Sequence, residues 1–82
     1  MDIQKIKVKV DSNLKYKGRY ENNLKTGFGK LSYICKELKG DKYEGYFKDD
    51  KFHGKGVYLY NNHDMFEGEW ENGQKNGRGI YY

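Results

Sequence analysis

One short pattern recurs three times in this chain and restricts its fold more than any other feature. An aromatic residue, a glycine two positions on and a second aromatic two beyond that lead into a turn signal, and a Gly-x-Gly follows. The middle copy runs from Tyr43 to Tyr60, YEGYFKDDKFHGKGVYLY. Alternate side chains of an extended strand share a side. Tyr43, Gly45 and Phe47 therefore lie on one side, face A, and Glu44, Tyr46 and Lys48 on the other, face B. Asp49-Asp50 offers a two-residue turn. The return strand brings Phe52, Gly54, Gly56, Tyr58 and Tyr60 back to face A. Closing the hairpin on that turn pairs Tyr43 with Gly56, Gly45 with Gly54 and Glu44 with Lys55. A ring opposite a glycine covers backbone that glycine leaves bare.

The other copies begin at Tyr16 and Phe66. From Tyr16, the triplet Tyr16, Gly18, Tyr20 leads to Asn22-Asn23 and then to Gly27 and Gly29. From Phe66, the triplet Phe66, Gly68, Trp70 leads to Asn72-Gly73, a strong hairpin signal, and then to Gly77 and Gly79. The same arithmetic pairs Tyr16 with Gly29, Phe66 with Gly79, Glu67 with Arg78 and Lys17 with Phe28. The first unit is four residues longer than the second, through an insertion within Ile34 to Lys42.

These residues resemble the MORN (membrane occupation and recognition nexus) repeat. The shared positions are the leading aromatic, Gly18/Gly45/Gly68, Gly27/Gly54/Gly77 and Gly29/Gly56/Gly79, and the likeness covers Tyr16 to Tyr82. It implies a non-catalytic scaffold or adaptor of the kind found in junctophilins, radial-spoke heads and phosphatidylinositol phosphate kinases. Repeats of that family are linked both to protein docking or dimerisation and to acidic phospholipids.

The expected architecture is all-β: a single twisted antiparallel meander of about seven strands, open and without helix, built from tandem hairpins that touch only their neighbours. Residues 1–15 read as a capping half repeat, 16–42 as the first repeat, 43–65 as the second and 66–82 as a truncated third. In the capping strand Ile6, Val8 and Val10 alternate with lysines. Laid on the repeat, Val8 takes the place of Tyr58, which puts the valines on face A and the lysines on face B. The loop between repeats two and three suits three or five residues. The insertion is even in length, so it leaves later side chains on their faces; Cys35 and Leu38 within it are either available to a partner or, as the favoured expectation, partly buried beneath the loop. The last strand is an unpaired edge.

Eighty-two residues make one small domain, whose apolar content resides in nine Tyr, four Phe and one Trp. A single cysteine and the lack of a signal-like segment make an intracellular, reducing compartment the expectation, cytoplasmic or attached to cytoskeleton or membrane rather than secreted. The net charge of +4 divides unevenly: residues 1–42 are basic and residues 43–82 mildly acidic, an asymmetry able to orient the module on an anionic partner.

No catalytic set emerges. The Gly-x-Gly pairs are followed by no helix and so do not form a phosphate loop. His53, His63 and the nearby aspartates lack metal-ligand spacing, and Cys35 has no activating neighbour. An enzyme, a cofactor and a metal are therefore not expected. Nucleic acid is disfavoured, because the charges lie mainly opposite the rings on which bases would stack. Two roles remain. The first is protein–protein scaffolding through a groove on face A carrying Tyr20, Tyr33, Phe47, Tyr58 and Trp70, supported by subunit or homodimer contact at the last strand. The second is attachment to an anionic membrane through Lys5, Lys7, Lys9, Lys15, Lys17, Arg19 and Lys25.

Overall fold

A computed structural model describes residues 6–36 and 39–82. Seven strands follow in order: β1 Ile6–Val10, β2 Leu14–Glu21, β3 Leu24–Tyr33, β4 Lys42–Lys48, β5 Lys51–Leu59, β6 Met65–Glu71 and β7 Gln74–Tyr81. Each pairs antiparallel with the next in a single open sheet, with β1 and β7 as its edges. The molecule is a slab of 41 × 29 × 16 Å. No helix occurs among the described residues.

The three hairpin tips share one conformation. Asn22 and Asn23, Asp49 and Asp50, and Asn72 and Gly73 all have positive φ, between 50° and 81°. This is the type I′ turn, whose twist matches that of the strands it joins. Asn and Asp tolerate the left-handed region because their short polar side chains bond locally.

Beyond the tips the pairing departs from simple arithmetic. The first glycine of each Gly-x-Gly, Gly27, Gly54 and Gly77, has φ of 65°, 71° and 73°. A left-handed residue here makes a bulge, and the register slips at Gly18/Arg19, Gly45/Phe47 and Gly68/Trp70. Tyr43 consequently faces Tyr58, and Gly45 faces Gly56; Tyr16 faces Leu31 and Phe66 faces Tyr81. The slip is of two residues, so every side chain keeps its expected face.

The rings nevertheless reach their glycines. Tyr43 leans along the strand over the Gly45–Gly56 pair, and its hydroxyl donates to the Tyr46 carbonyl at 2.9 Å. Tyr16 repeats this over Gly18–Gly29, donating to the Arg19 carbonyl at 3.0 Å. A Cβ on Gly29 would stand 2.5 Å from the Tyr16 hydroxyl, and one on Gly56 or Gly79 would collide with the ring of Tyr43 or Phe66. Glycine is required there by the close approach of ring to backbone.

The expected charge pairs move with the register. Glu67 faces Ile80, not Arg78, and Glu44 faces Val57, not Lys55. Lys17 faces Lys30, not Phe28. Opposite charges meet at the joints between hairpins instead, Lys30 with Glu44 and Lys55 with Glu69.

β1 is the larger correction. Val8 pairs with Lys17 and Val10 with Lys15, so the apolar side chains lie on face B, while Lys7 and Lys9 share face A with Gly18 and Tyr16. The cause is the Asp11 turn. Its carboxylate accepts from the backbone N–H groups of Asn13 and Leu14 at 2.7 and 2.9 Å, and its own N–H donates to the Leu14 carbonyl. That closes a tip of two residues, Ser12-Asn13, where the opposite facing required an odd number.

The core lies on face A. Tyr16, Leu31, Tyr43, Phe47, Phe66 and Trp70 are buried, and Tyr20, Tyr33, Phe52 and Tyr58 pack against them. Each leading ring meets the second aromatic of its own triplet edge-on: Tyr16–Tyr20 at 5.1 Å, Tyr43–Phe47 at 5.2 Å and Phe66–Trp70 at 5.6 Å. Each of the first two also receives the second aromatic of the next triplet: Tyr16–Phe47 at 5.2 Å and Tyr43–Trp70 at 5.5 Å. Such edge-to-face pairs contribute about 0.5–1.5 kcal/mol each beyond the area they bury. A one-layer sheet thus gains a core by folding its own rings down upon itself.

Candidate interaction surfaces

Face A presents less than its composition promises. Of the five residues expected to line a groove there, Phe47 and Trp70 expose only 4% and 6% of their surface. They build the face rather than offer it, and the Trp70 indole donates to the Gly56 carbonyl at 3.2 Å. Tyr20, Tyr33 and Tyr58 are half-buried at the rim. Tyr33 and Tyr58 stand together, 6.5 Å apart, while Tyr20 lies over Tyr16.

The rim is fastened by a carboxylate that sequence reasoning passed over. Asp41 is buried; it accepts from the Tyr58 hydroxyl and from the Asn61 N–H, both at 2.8 Å. It ties the insertion joint to the loop Tyr60 to Asp64, which closes as one of the expected turns, with the Tyr60 N–H on the Asp64 carbonyl. The signal was present: Asp41 and Asp64 occupy the same place, two residues before a leading aromatic. Burial pushes the Tyr16 phenol up to about 12 and raises those of Tyr43 and Tyr58 still further, Tyr58 also through its bond to Asp41. The insertion docks through the Ile34 and Cys35 N–H groups on the Asn13 carbonyl. Cys35 is partly buried, and Leu38 lies outside the described residues.

Face B carries the concavity. A groove of about 880 Å³ runs across β3 to β7. Its floor is the bare backbone of Gly45, Gly56, Gly68 and Gly79. Apolar side chains rise from it: Phe28, Tyr46, Val57 and Ile80. Phe28 and Tyr46 form an exposed edge-to-face pair at 5.7 Å. Glu44, Glu67 and Glu69 stand among them with Lys55 and Arg78. The strand alternation held a clue here too, since Phe28, Tyr46, Val57 and Ile80 interrupt an otherwise polar stripe.

The basic residues do not form one surface. Lys15, Lys17 and Arg19 lie on face B beside the exposed Ile6, Val8 and Val10. Lys7 and Lys9 lie on face A, with Lys9 5.9 Å from the Tyr20 ring centre. Lys25 is engaged over Tyr16 and in an ion pair with Asp50 at 3.5 Å. Lys5 lies outside the described residues. Among the described residues no three His, Cys, Asp or Glu side chains are grouped to hold a metal ion.

The repeated geometry agrees with comparison to known proteins. The MORN repeat profile matches residues 16–34, 43–65 and 66–82. This chain belongs to the MORN-repeat family. The first match ends at Ile34, where the segment that holds the insertion begins. Rat alsin is 36% identical over 66 residues, covering 79% of this chain and 4% of alsin, and human alsin is 35% identical over the same length. MORN repeat-containing protein 3 of Xenopus laevis is 33% identical over 52 residues, 62% of this chain and 22% of that protein. The chain therefore spans a small part of these relatives' length. A MORN array of this kind is a repeat module of the binding or scaffold type.

Proposed function

We propose that this MORN array is a non-catalytic protein-docking module whose face-B groove holds a segment of a partner protein. The observation that carries this reading is the exposed apolar surface on that face. Phe28, Tyr46 and Ile80 are 48%, 51% and 57% exposed around a concave floor. Contiguous apolar surface rimmed by charge marks interaction sites, and buried aromatic anchors dominate the energetics of such interfaces.

The experiment is affinity capture with the intact chain, with Phe28→Ala/Tyr46→Ala, and with Tyr20→Ala/Tyr33→Ala, each checked for β-type circular dichroism. Partners lost only from the face-B variant support the groove. Loss from the face-A variant alone transfers the site to the aromatic rim. Retention by both variants overturns the reading.

A second reading rests on Ile6, Val8 and Val10 standing exposed beside Lys15, Lys17 and Arg19. Apolar side chains flanked by cations suit an anionic bilayer surface, at about 1 kcal/mol per basic residue near it. Flotation with phosphatidylserine or phosphoinositide vesicles, fading with salt and with Lys15→Glu/Lys17→Glu, supports it. No flotation at low salt ends it.

A further inference from the structure

The charges of face B are sorted by strand. β2 bears Lys15, Lys17 and Arg19 there, before Glu21 at the tip, and β3 adds Lys30. β6 bears Glu67, Glu69 and Glu71. These cations and the β6 carboxylates are exposed, and none of them forms an ion pair with another described residue. The register sharpens the sorting. One row runs across all the strands in order: Val8, Lys17, Lys30, Glu44, Val57, Glu67 and Ile80. Within it Lys17 stands directly opposite Lys30, and like charges so placed are destabilising. Glu67 stands between Val57 and Ile80, and the Tyr82 hydroxyl donates to its carboxylate at 3.1 Å. The basic strand β2 and the acidic strand β6 are thus held four strand spacings apart, about 19 Å, where they cannot pair with each other.

We infer that face B is the contact surface of a homodimer, closed by a two-fold axis that runs along β4. The inference rests on the docking reading above and names the partner as a second copy of this chain. A two-fold axis parallel to the strands lays one face B on the other with the strand order reversed. β2 of each copy then covers β6 of the other, and Lys15, Lys17 and Arg19 meet Glu67, Glu69 and Glu71 twice over. β1 covers β7, and the exposed Val8 meets the exposed Ile80. At the axis Tyr46 meets its own copy. Beside it Phe28, on β3, enters the groove against Lys55, on β5 of the second copy, a cation over a ring. Glu44 also meets itself at the axis, with Lys30 next to each carboxylate as its cross-strand neighbour. The other in-plane axis, across the strands, would stack β2 on β2 and β6 on β6, which like charge disfavours. A further repeat at either end of the array would extend the sheet at its edge and leave this face uncovered. The face of 41 × 29 Å has room for the roughly 800 Å² that each partner gives to a standard interface.

Sedimentation equilibrium on the intact chain, from micromolar to millimolar concentration, should give a dimer mass that falls toward the monomer as salt is raised. Lys17→Glu/Arg19→Glu makes β2 acidic like β6, and Glu67→Lys/Glu69→Lys makes β6 basic like β2. Each variant, checked for β-type circular dichroism, should self-associate about a hundredfold more weakly. An equimolar mixture of the two should recover the dimer, because every covering strand then faces the opposite charge. Lys17→Glu also turns the like-charge pair with Lys30 into an opposite one, so its denaturation midpoint should not fall while its dimer is lost. A parent that is monomeric at millimolar concentration, a dimer indifferent to both reversals, or a mixture that stays monomeric would overturn the inference. A monomeric parent would still leave the groove to other proteins, which capture with Phe28→Ala/Tyr46→Ala reads separately, so the two failures are distinguishable.

Discussion

The two faces of this sheet are made from the same strands and have opposite characters. Face A is largely closed: its large rings lie on glycine backbone and pack edge-on across repeats, with Tyr20, Tyr33 and Tyr58 among the side chains left partly open. Face B is open: Phe28, Tyr46 and Ile80 stand above a floor without side chains. Glycine produces the first result: without Cβ atoms at Gly29, Gly56 and Gly79 the rings reach the backbone. The second follows from alternation, which turns no face-A side chain toward face B. On the reading proposed above, stability and recognition belong to different faces of a single layer, and substitutions should separate them.

The largest expected effect is on the closed face. Tyr43→Ala removes a fully buried ring that contacts Phe47, Phe52 and Trp70. Truncation of a large core aromatic costs about 3–5 kcal/mol, a large share of a small domain's total stability. Chemical denaturation should show the variant largely unfolded in buffer. A folded variant within about 1 kcal/mol of the parent would mean that the rings are not the core.

Next in size is Asp41→Ala, which strips the partner from the Tyr58 hydroxyl and the Asn61 N–H. Leaving buried polar groups unpaired costs about 1–3 kcal/mol. The loss should be seen in denaturant midpoints, with faster amide exchange at Asn61. An effect confined to the loop, with no change in midpoint, would separate the joint from the core.

How much of this was legible in advance follows from what depends on parity and what depends on geometry. Which side each residue of β2 to β7 occupies needs only alternation, and a slip of two preserves it; Tyr16, Tyr43 and Phe66 accordingly lie over Gly29, Gly56 and Gly79 as expected. The opposing partners needed the left-handed φ of Gly27, Gly54 and Gly77, which a simple count along the strands ignores. β1 failed for the complementary reason: the Asp11 turn changed the loop by one residue, and one residue reverses a strand. Aromatic content does not say which rings stay open and which pack against one another. Phe47 and Trp70 are consumed by packing on face A, while a concavity lies on the opposite face.

A milder test of the closed face is pH. Burial raises the Tyr16 phenol from 10.0 to about 12. The folded state therefore holds this proton more tightly than the unfolded chain, and stability is fully present below pH 10 and declines as pH rises through the window from about 10 to 12. Tyr43 and Tyr58 are raised in the same direction, by burial first. Denaturation midpoints measured from pH 8 upward should be flat and then fall, and Tyr16→Phe should make the fall shallower. An unaltered slope would mean that the Tyr16 hydroxyl is solvated when folded.

The smallest effect on stability belongs to face B, and it sharpens the comparison most. Phe28 and Tyr46 touch each other, yet each is about half exposed, and neither belongs to the buried cluster. Replacing both by alanine removes one exposed edge-to-face pair, so the midpoint should move by less than about 1 kcal/mol. A face that only filled space would then change nothing else. A face that receives a partner would lose it, because truncating an aromatic anchor in an interface commonly costs 2 kcal/mol or more, about thirtyfold in affinity. A stable fold with binding lost separates recognition from folding in this sheet. A joint loss of both would mean that the rings on opposite sides support one another through the backbone between them.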